Sequence, residues 1–332
     1  MDERFTHNRH QQNRCDNDGA VSVEPVLPPQ IVQTPFQPNL RFGWLMMGIT
    51  LLIWSGFTLL SRMGAGHSAL TAWDIGALRF VVAGVILIPI ALFRGRITSY
   101  LRLKPMILAV FGGMGYACLA YLGFAHAPAA HAAIWLNGFL PLVTALGAWA
   151  LMGERPDRDI WISLSAIALG LFGMAVLMEQ QGSFHLALGD VFFIAAASCW
   201  GIYTGLLRRW PMSPWDLMSA VAINSALVYL PIYWFFLPKG IAQASLGQLV
   251  TQGLFQGVMV VIIAMLTYVA AIRHLGAFRT GSVLAMAPLL AAVAAVSVLD
   301  EPLTAPILVG IAGMMIGAIQ PWRFFKQKAS AT

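Results

Sequence analysis

The chain has 332 residues, of which 58% are hydrophobic and only 10% charged, against roughly a quarter charged in soluble domains. That composition excludes an ordinary soluble enzyme, and the net charge of +6 calls for no nucleic-acid partner because basic residues flanking apolar stretches account for it. Cys15, Cys118 and Cys199 are isolated, with no CxxC or Cys/His spacing, so neither a disulfide framework nor a metal site nor a cofactor is expected.

Residues 1–40 are polar, rich in Asn, Gln and Pro, and contain no apolar run. They are expected to form a disordered cytoplasmic tail rather than a cleavable signal peptide. Ten apolar stretches follow, near 43–62, 75–93, 106–124, 130–152, 160–178, 189–207, 216–237, 250–271, 280–299 and 304–320. Each is about the ~20 residues a helix needs to cross the hydrocarbon core. A second tail, 321–332, closes the chain. The fold class expected is therefore all-α integral membrane with ten transmembrane helices and both termini on one side.

Lys and Arg fall on alternate sides of those stretches. The N-terminal tail, the loop holding Arg94, Arg96, Arg102 and Lys104, and the pairs Arg155/Arg158, Arg208/Arg209 and Arg273/Arg279 share one side with Arg323, Lys326 and Lys328. Only Arg62 and Lys239 fall on the other, and Arg79 lies inside a stretch. The basic side is expected to be cytoplasmic, so N-in and C-in.

An internal repeat runs through the same segments. Trp54-Ser55-Gly56-Phe57-Thr58 returns as Trp200-Gly201-Ile202-Tyr203-Thr204, at an offset of 146, and Pro141-Leu142 returns as Pro288-Leu289, at an offset of 147. Glu154 matches Glu301, and the stretches after them carry spaced glycines, Gly170 and Gly173, then Gly310, Gly313 and Gly317. The two copies, 43–178 and 189–320, each hold five crossings. An odd number turns the second copy upside down, the architecture of many secondary transporters.

The order of these marks resembles the EamA-type transporters of the drug/metabolite transporter superfamily. They are Trp-Ser-Gly-Phe at 54–57, Arg79, and Leu140-Pro141-Leu142 leading to Gly153-Glu154-Arg155-Pro156. The second copy adds Gly189-Asp190, Cys199-Trp200, and Ala287-Pro288-Leu289 leading to Asp300-Glu301-Pro302. Asp300 departs from the apolar-Gly-Glu run usual there. The resemblance covers about residues 43–320. It implies movement of small metabolites, mostly outward, through a central cavity lined by helices 1, 3, 4, 6, 8 and 9 in the bacterial cytoplasmic (inner) membrane.

Candidate residues follow from depth. Trp54 and Trp200 lie near midplane, away from the interfaces that tryptophans prefer; they face either the cavity or a neighbouring helix. Tyr116, Tyr203 and Asn137 are their polar companions. Arg79 is costly inside a membrane helix and clamps a substrate carboxylate, snorkels outward, or pairs with Asp74, Asp300 or Glu301. Pro141 and Pro288 each remove a backbone hydrogen bond mid-segment and are read as a paired hinge. No Asp or Glu sits mid-helix, so His131 is left as the one proton relay to weigh, against the blander reading of a hydrated loop-end histidine.

The function expected is a secondary transporter, an exporter of amino acids or related amphipathic solutes, and not an enzyme. An uptake permease of the same fold, a membrane-embedded transferase and a non-transporting sensor or assembly subunit are the alternatives. Its partners would be a small-molecule solute and the lipid bilayer, with no nucleic acid. The chain would act as a monomer or, through the glycines of the last segment, a homodimer.

Overall fold

The computed structural model describes residues 38–140, 142–144, 146, 150, 153, 158–180, 187–210, 212–284, 286–300 and 302–320. The described residues are helical, with no strand among them. Both Pro141 and Glu154 lie outside them, as does Glu301.

Helix α1 spans Leu40–His67, and its first turn is capped by Asn39, whose Oδ1 accepts the Phe42 N–H at 3.1 Å. Helix α2, Ala72–Phe93, starts at a reciprocal capping box between Thr71 and Asp74. A single helical turn, Ile97–Tyr100, leads into α3, Leu103–His126. Helix α4 occupies 129–138 and turns π-helical from Ala133 to Gly138. Helix α5 is Arg158–Gln180, α6 is Leu188–Arg209 and α7 is Pro214–Phe236. Another capping box, Ser245 with Gln248, opens α8, Leu246–Leu275. The last three are α9 (Ala277–Leu284), α10 (Ala287–Leu299) and α11 (Ala305–Ile319).

Six of these, α1, α2, α3, α6, α7 and α8, contain a helical stretch long and apolar enough to cross a membrane; α10 and α11 are shorter but equally apolar. Their outward faces are apolar too, with Leu52, Phe93 and Phe235 all at least 70% exposed. A rim of large apolar side chains turned outward is what a lipid-facing surface requires.

Inside, the packing repeats across the two halves of the chain. α1 packs along α8 and α3 along α6, while α2 packs on α7 and α5 on α11. Shifting every residue by the repeat offset exchanges the first two pairs and returns the last two to themselves. The irregularities repeat as well. α3 is π-helical over Val110–Gly115 and α8 over Phe255–Ile263, starting within two residues of matched positions. Each wide turn lets a glycine meet a neighbour: Gly112 touches the Tyr203 ring, and a Cβ on Gly257 would lie 3.1 Å from the Arg79 carbonyl.

Glycines also set the α5–α11 seam. A Cβ on Gly170 would lie 2.6 Å from the Cα of Gly313, and one on Gly317 would lie 2.6 Å from the Ser163 carbonyl. The spaced glycines of the last segment are thus engaged within the chain, by close backbone approach.

The bundle ends are pinned by polar contacts. At one end Tyr100 donates to Asp216 at 2.7 Å, Arg96 stands 3.9 Å from the same carboxylate, and Arg94 and Lys104 lie over Trp215 and Trp210. At the other, fully buried Asp74 accepts from Thr71, from Tyr233 and from the Gly240 backbone N–H at 2.8 Å.

Candidate functional site

Where α1 ends, α8 begins and α10 ends, a cavity of about 450 Å³ opens, with Met63, His67, Thr251, Gln252, Leu299 and Asp300 among its lining. Gln252 belongs both to that wall and to the interior behind it. Its Nε2 donates to the Leu60 carbonyl at 2.7 Å, and its Oε1 accepts from Gln256 Nε2 at 3.4 Å. Gln256, fully buried, also donates to Ser61 Oγ at 3.1 Å. Its Oε1 accepts the Tyr121 hydroxyl at 3.0 Å. Tyr121 in turn accepts from Arg79 Nη1 at 3.3 Å.

A continuous polar chain therefore runs from the cavity to Arg79, assembled by α8, α1, α3 and α2. Its members are almost wholly shut from solvent: Ser61, Tyr121 and Gln256 at 0% exposure and Gln252 at 4%. Buried amides and hydroxyls are tolerated because each finds a partner. One donor does not. Arg79 Nε is buried with no acceptor among the described residues.

An unmet guanidinium donor inside an apolar bundle is costly, and an acceptor, an anion most strongly, would satisfy it. A carboxylate suits the planar fork best.

The residues singled out in the sequence divide into groups. Tyr116, Trp200 and Tyr203 come together, with ring centroids 4.9 Å apart for Tyr116 and Trp200 and 5.1 Å for Trp200 and Tyr203. Arg79 donates to Tyr121; Asp74 is instead committed to its cap and to Tyr233 and Gly240. Trp54 stands apart, half-buried against Tyr268 of α8 at 5.1 Å. Asn137 donates to the Ala132 carbonyl at 3.4 Å, five residues back, a contact local to the π-helical turn.

Pro288 does not kink a continuous helix. The helix before it ends at Leu284, and Pro288 is the second residue of α10, where a missing N–H costs nothing. Pro141 lies outside the described residues. His131, expected to be hydrated, is instead half-buried, with Nδ1 2.8 Å from Asp190 Oδ1.

Gln252, Gln256, Ser61 and Tyr121 were not anticipated. A signal for two of them was present: glutamines four residues apart inside an apolar stretch lie on one helix face. A search limited to charges passes over neutral amides.

A helical bundle with long apolar helices and apolar outward faces defines a multi-pass membrane protein. Comparison with known proteins narrows the class. The model of the EamA-like transporter family matches residues 41–176 and again 187–320. The uncharacterized transporter YdeK of Bacillus subtilis is 30% identical over 202 residues, 59% of this chain and 68% of its own. The threonine/homoserine exporter RhtA of Escherichia coli K12 is 29% identical over 261 residues, 74% of this chain and 79% of its own. A crystal structure at 21% identity covers 87% of this chain and 99% of its own with a TM-score of 0.56, a likeness of fold. The chain belongs to the EamA-like transporter family, within the drug/metabolite transporter superfamily.

Proposed function

We propose that this protein is a secondary exporter of small amphipathic metabolites, amino acids of the threonine and homoserine kind foremost. Ten helices cross the bacterial inner membrane N-in and C-in, as two inverted five-helix halves, 43–178 and 189–320. The halves rock about a central site to expose it to each side in turn. The observation that carries the reading is the buried thread from the cavity through Gln252 and Gln256 to the unmet Nε of Arg79. A zwitterionic solute supplies what that thread lacks, a carboxylate for Arg79, while the amides and hydroxyls offer hydrogen bonds to its polar side chain. The aromatic faces of Tyr116, Trp200 and Tyr203 line the apolar side of the path. The exporter named for threonine and homoserine among the relatives lends the substrate class its support.

The test is counterflow of radiolabelled threonine and homoserine in proteoliposomes holding the purified protein. Saturable exchange is expected, falling about tenfold or more in Arg79→Gln, the loss of one charge-assisted hydrogen bond of about 1.5–3 kcal/mol. Saturable exchange untouched by Arg79→Gln would remove the site. Absence of exchange for every amino acid tried would remove the substrate class.

A further inference from the structure

We propose that His131 and Asp190 form a proton-binding site, which holds α4 against α6 more tightly while the imidazole is charged and loosens as it loses its proton. The two groups meet at 2.8 Å, with the imidazole side chain 16% exposed and the carboxylate only 2%. The other carboxylate oxygen accepts the Ala187 backbone N–H at 2.9 Å, which fixes Asp190 at the start of α6. A carboxylate can only accept, so the hydrogen between the groups belongs to Nδ1, and the neutral ring keeps its lone pair on Nε2. A proton from solvent adds to Nε2 with no bond broken. The hydrogen bond from a neutral ring then becomes an imidazolium–carboxylate pair, which is the stronger contact. That attraction exists only while α4 and α6 are together, so protonation and closure of the junction favour each other by linkage.

Several other charged or titratable groups belong to the surrounding elements. α3 ends at His126, whose Nδ1 lies 2.9 Å from the Leu122 carbonyl and whose ring packs 5.9 Å from Phe192. α1 contributes Arg62, donating to the Phe124 carbonyl at 2.7 Å, and His67 near its end. Asp300 follows α10, and α11 carries no titratable side chain between Ala305 and Ile319. The carboxylate in hydrogen-bond contact with His131 is Asp190.

The internal repeat provides a comparison within the molecule. Gly189, beside Asp190, abuts Ala127 and the Gly123 carbonyl, as its counterpart Gly43 abuts His274 and Leu275. At that second junction the repeat offset carries Asp190 to Trp44, which is exposed, and His131 to Ala277 or Phe278, so neither the histidine nor the carboxylate is repeated there. The histidine present there, His274, accepts the Asn39 backbone N–H through Nδ1 at 3.1 Å. In the orientation proposed above, the His131 junction faces away from the cytoplasm, where protons arrive in a respiring cell.

Hydrogen–deuterium exchange of the full chain in lipid nanodiscs tests the site, corrected for the intrinsic pH dependence of exchange and followed from about pH 5 to about pH 8. Protection of peptides spanning 127–131 and 187–192 is expected to fall as pH rises, by up to about tenfold per pH unit for one titrating group. His131→Gln keeps a donor for Asp190 but cannot be charged, and its profile should be flat. Asp190→Asn keeps the shape without the charge and should flatten it too. Titration against a pH indicator should find His131→Gln binding one proton fewer than wild type over the same range. A flat wild-type profile, a pH dependence retained in His131→Gln, or equal proton counts would overturn the site. No substrate enters these measurements, so failure of threonine exchange and failure of the proton site are separate results.

Discussion

Gln256 ties three helices together through one buried side chain. Its amide joins Tyr121 of α3 to Ser61 of α1 and to Gln252 one turn back, all without solvent. Gln256→Leu keeps the volume and removes every one of those contacts, leaving two buried hydroxyls short of partners. The expected cost is about 1–3 kcal/mol, read as a lowered midpoint of thermal unfolding in detergent, together with lost threonine exchange. Gln252→Leu leaves Tyr121 and Ser61 paired to Gln256, so its unfolding midpoint should fall less while its exchange falls as far. Equal unfolding midpoints for Gln256→Leu and wild type would show that the thread contributes nothing to folding. Asp74 is the matching case at the bundle end, where Asp74→Ala removes a buried carboxylate that accepts from Thr71, Tyr233 and Gly240.

Among the elements, the α5–α11 seam is the most exacting because glycine faces glycine across it. Gly313→Leu puts a side chain where the Gly170 backbone already lies. The helices cannot part without exposing the rest of the seam, so a shift to aggregate on size-exclusion chromatography is expected. Gly48→Leu, on a face of α1 with nothing within 4 Å of an added Cβ, should elute as wild type. The turn Ile97–Tyr100 makes a second element-scale claim. Burial and the hydrogen bond to Asp216 push the Tyr100 hydroxyl up to about 12, above the ordinary value of about 10. A raised value means the folded state keeps the proton longer, so this stabilisation is intact below about pH 10 and is lost as pH rises toward 12. The unfolding midpoint of wild type should decline in that window, and Tyr100→Phe should decline less.

For the whole molecule, the contact pattern already maps onto itself when the halves are exchanged, and the basic residues of the 94–104 loop meet the 210–216 loop at one end. With N-in and C-in orientation, a green fluorescent protein fused after Thr332 should fluoresce, and an alkaline phosphatase fused after Lys239 should be active. An active phosphatase at the C-terminus would invert the assignment and, with it, the side to which the His131 junction faces.

Much of this was legible before any coordinates, and the reason is the range of the forces involved. Burying about twenty apolar residues in lipid is a local property of each segment, so the membrane class could be read off a single chain. Duplication leaves its trace in order and spacing, so Trp54/Trp200 and Pro141/Pro288 pointed to the repeat and the family. Depth alone also brought Tyr116, Trp200 and Tyr203 to notice, and their rings do meet. What a linear reading could not reach is pairing. Ser61, Tyr121 and Gln256 are neutral and scattered over some two hundred positions, and only the crossing of α1, α3 and α8 makes them one thread. Whether His131 is a wet loop residue or half of a buried pair depends on Asp190, 59 residues away. Local hydrophobicity determined that this chain is a duplicated membrane bundle; the close approach of helices distant in sequence decided which of its few polar groups meet.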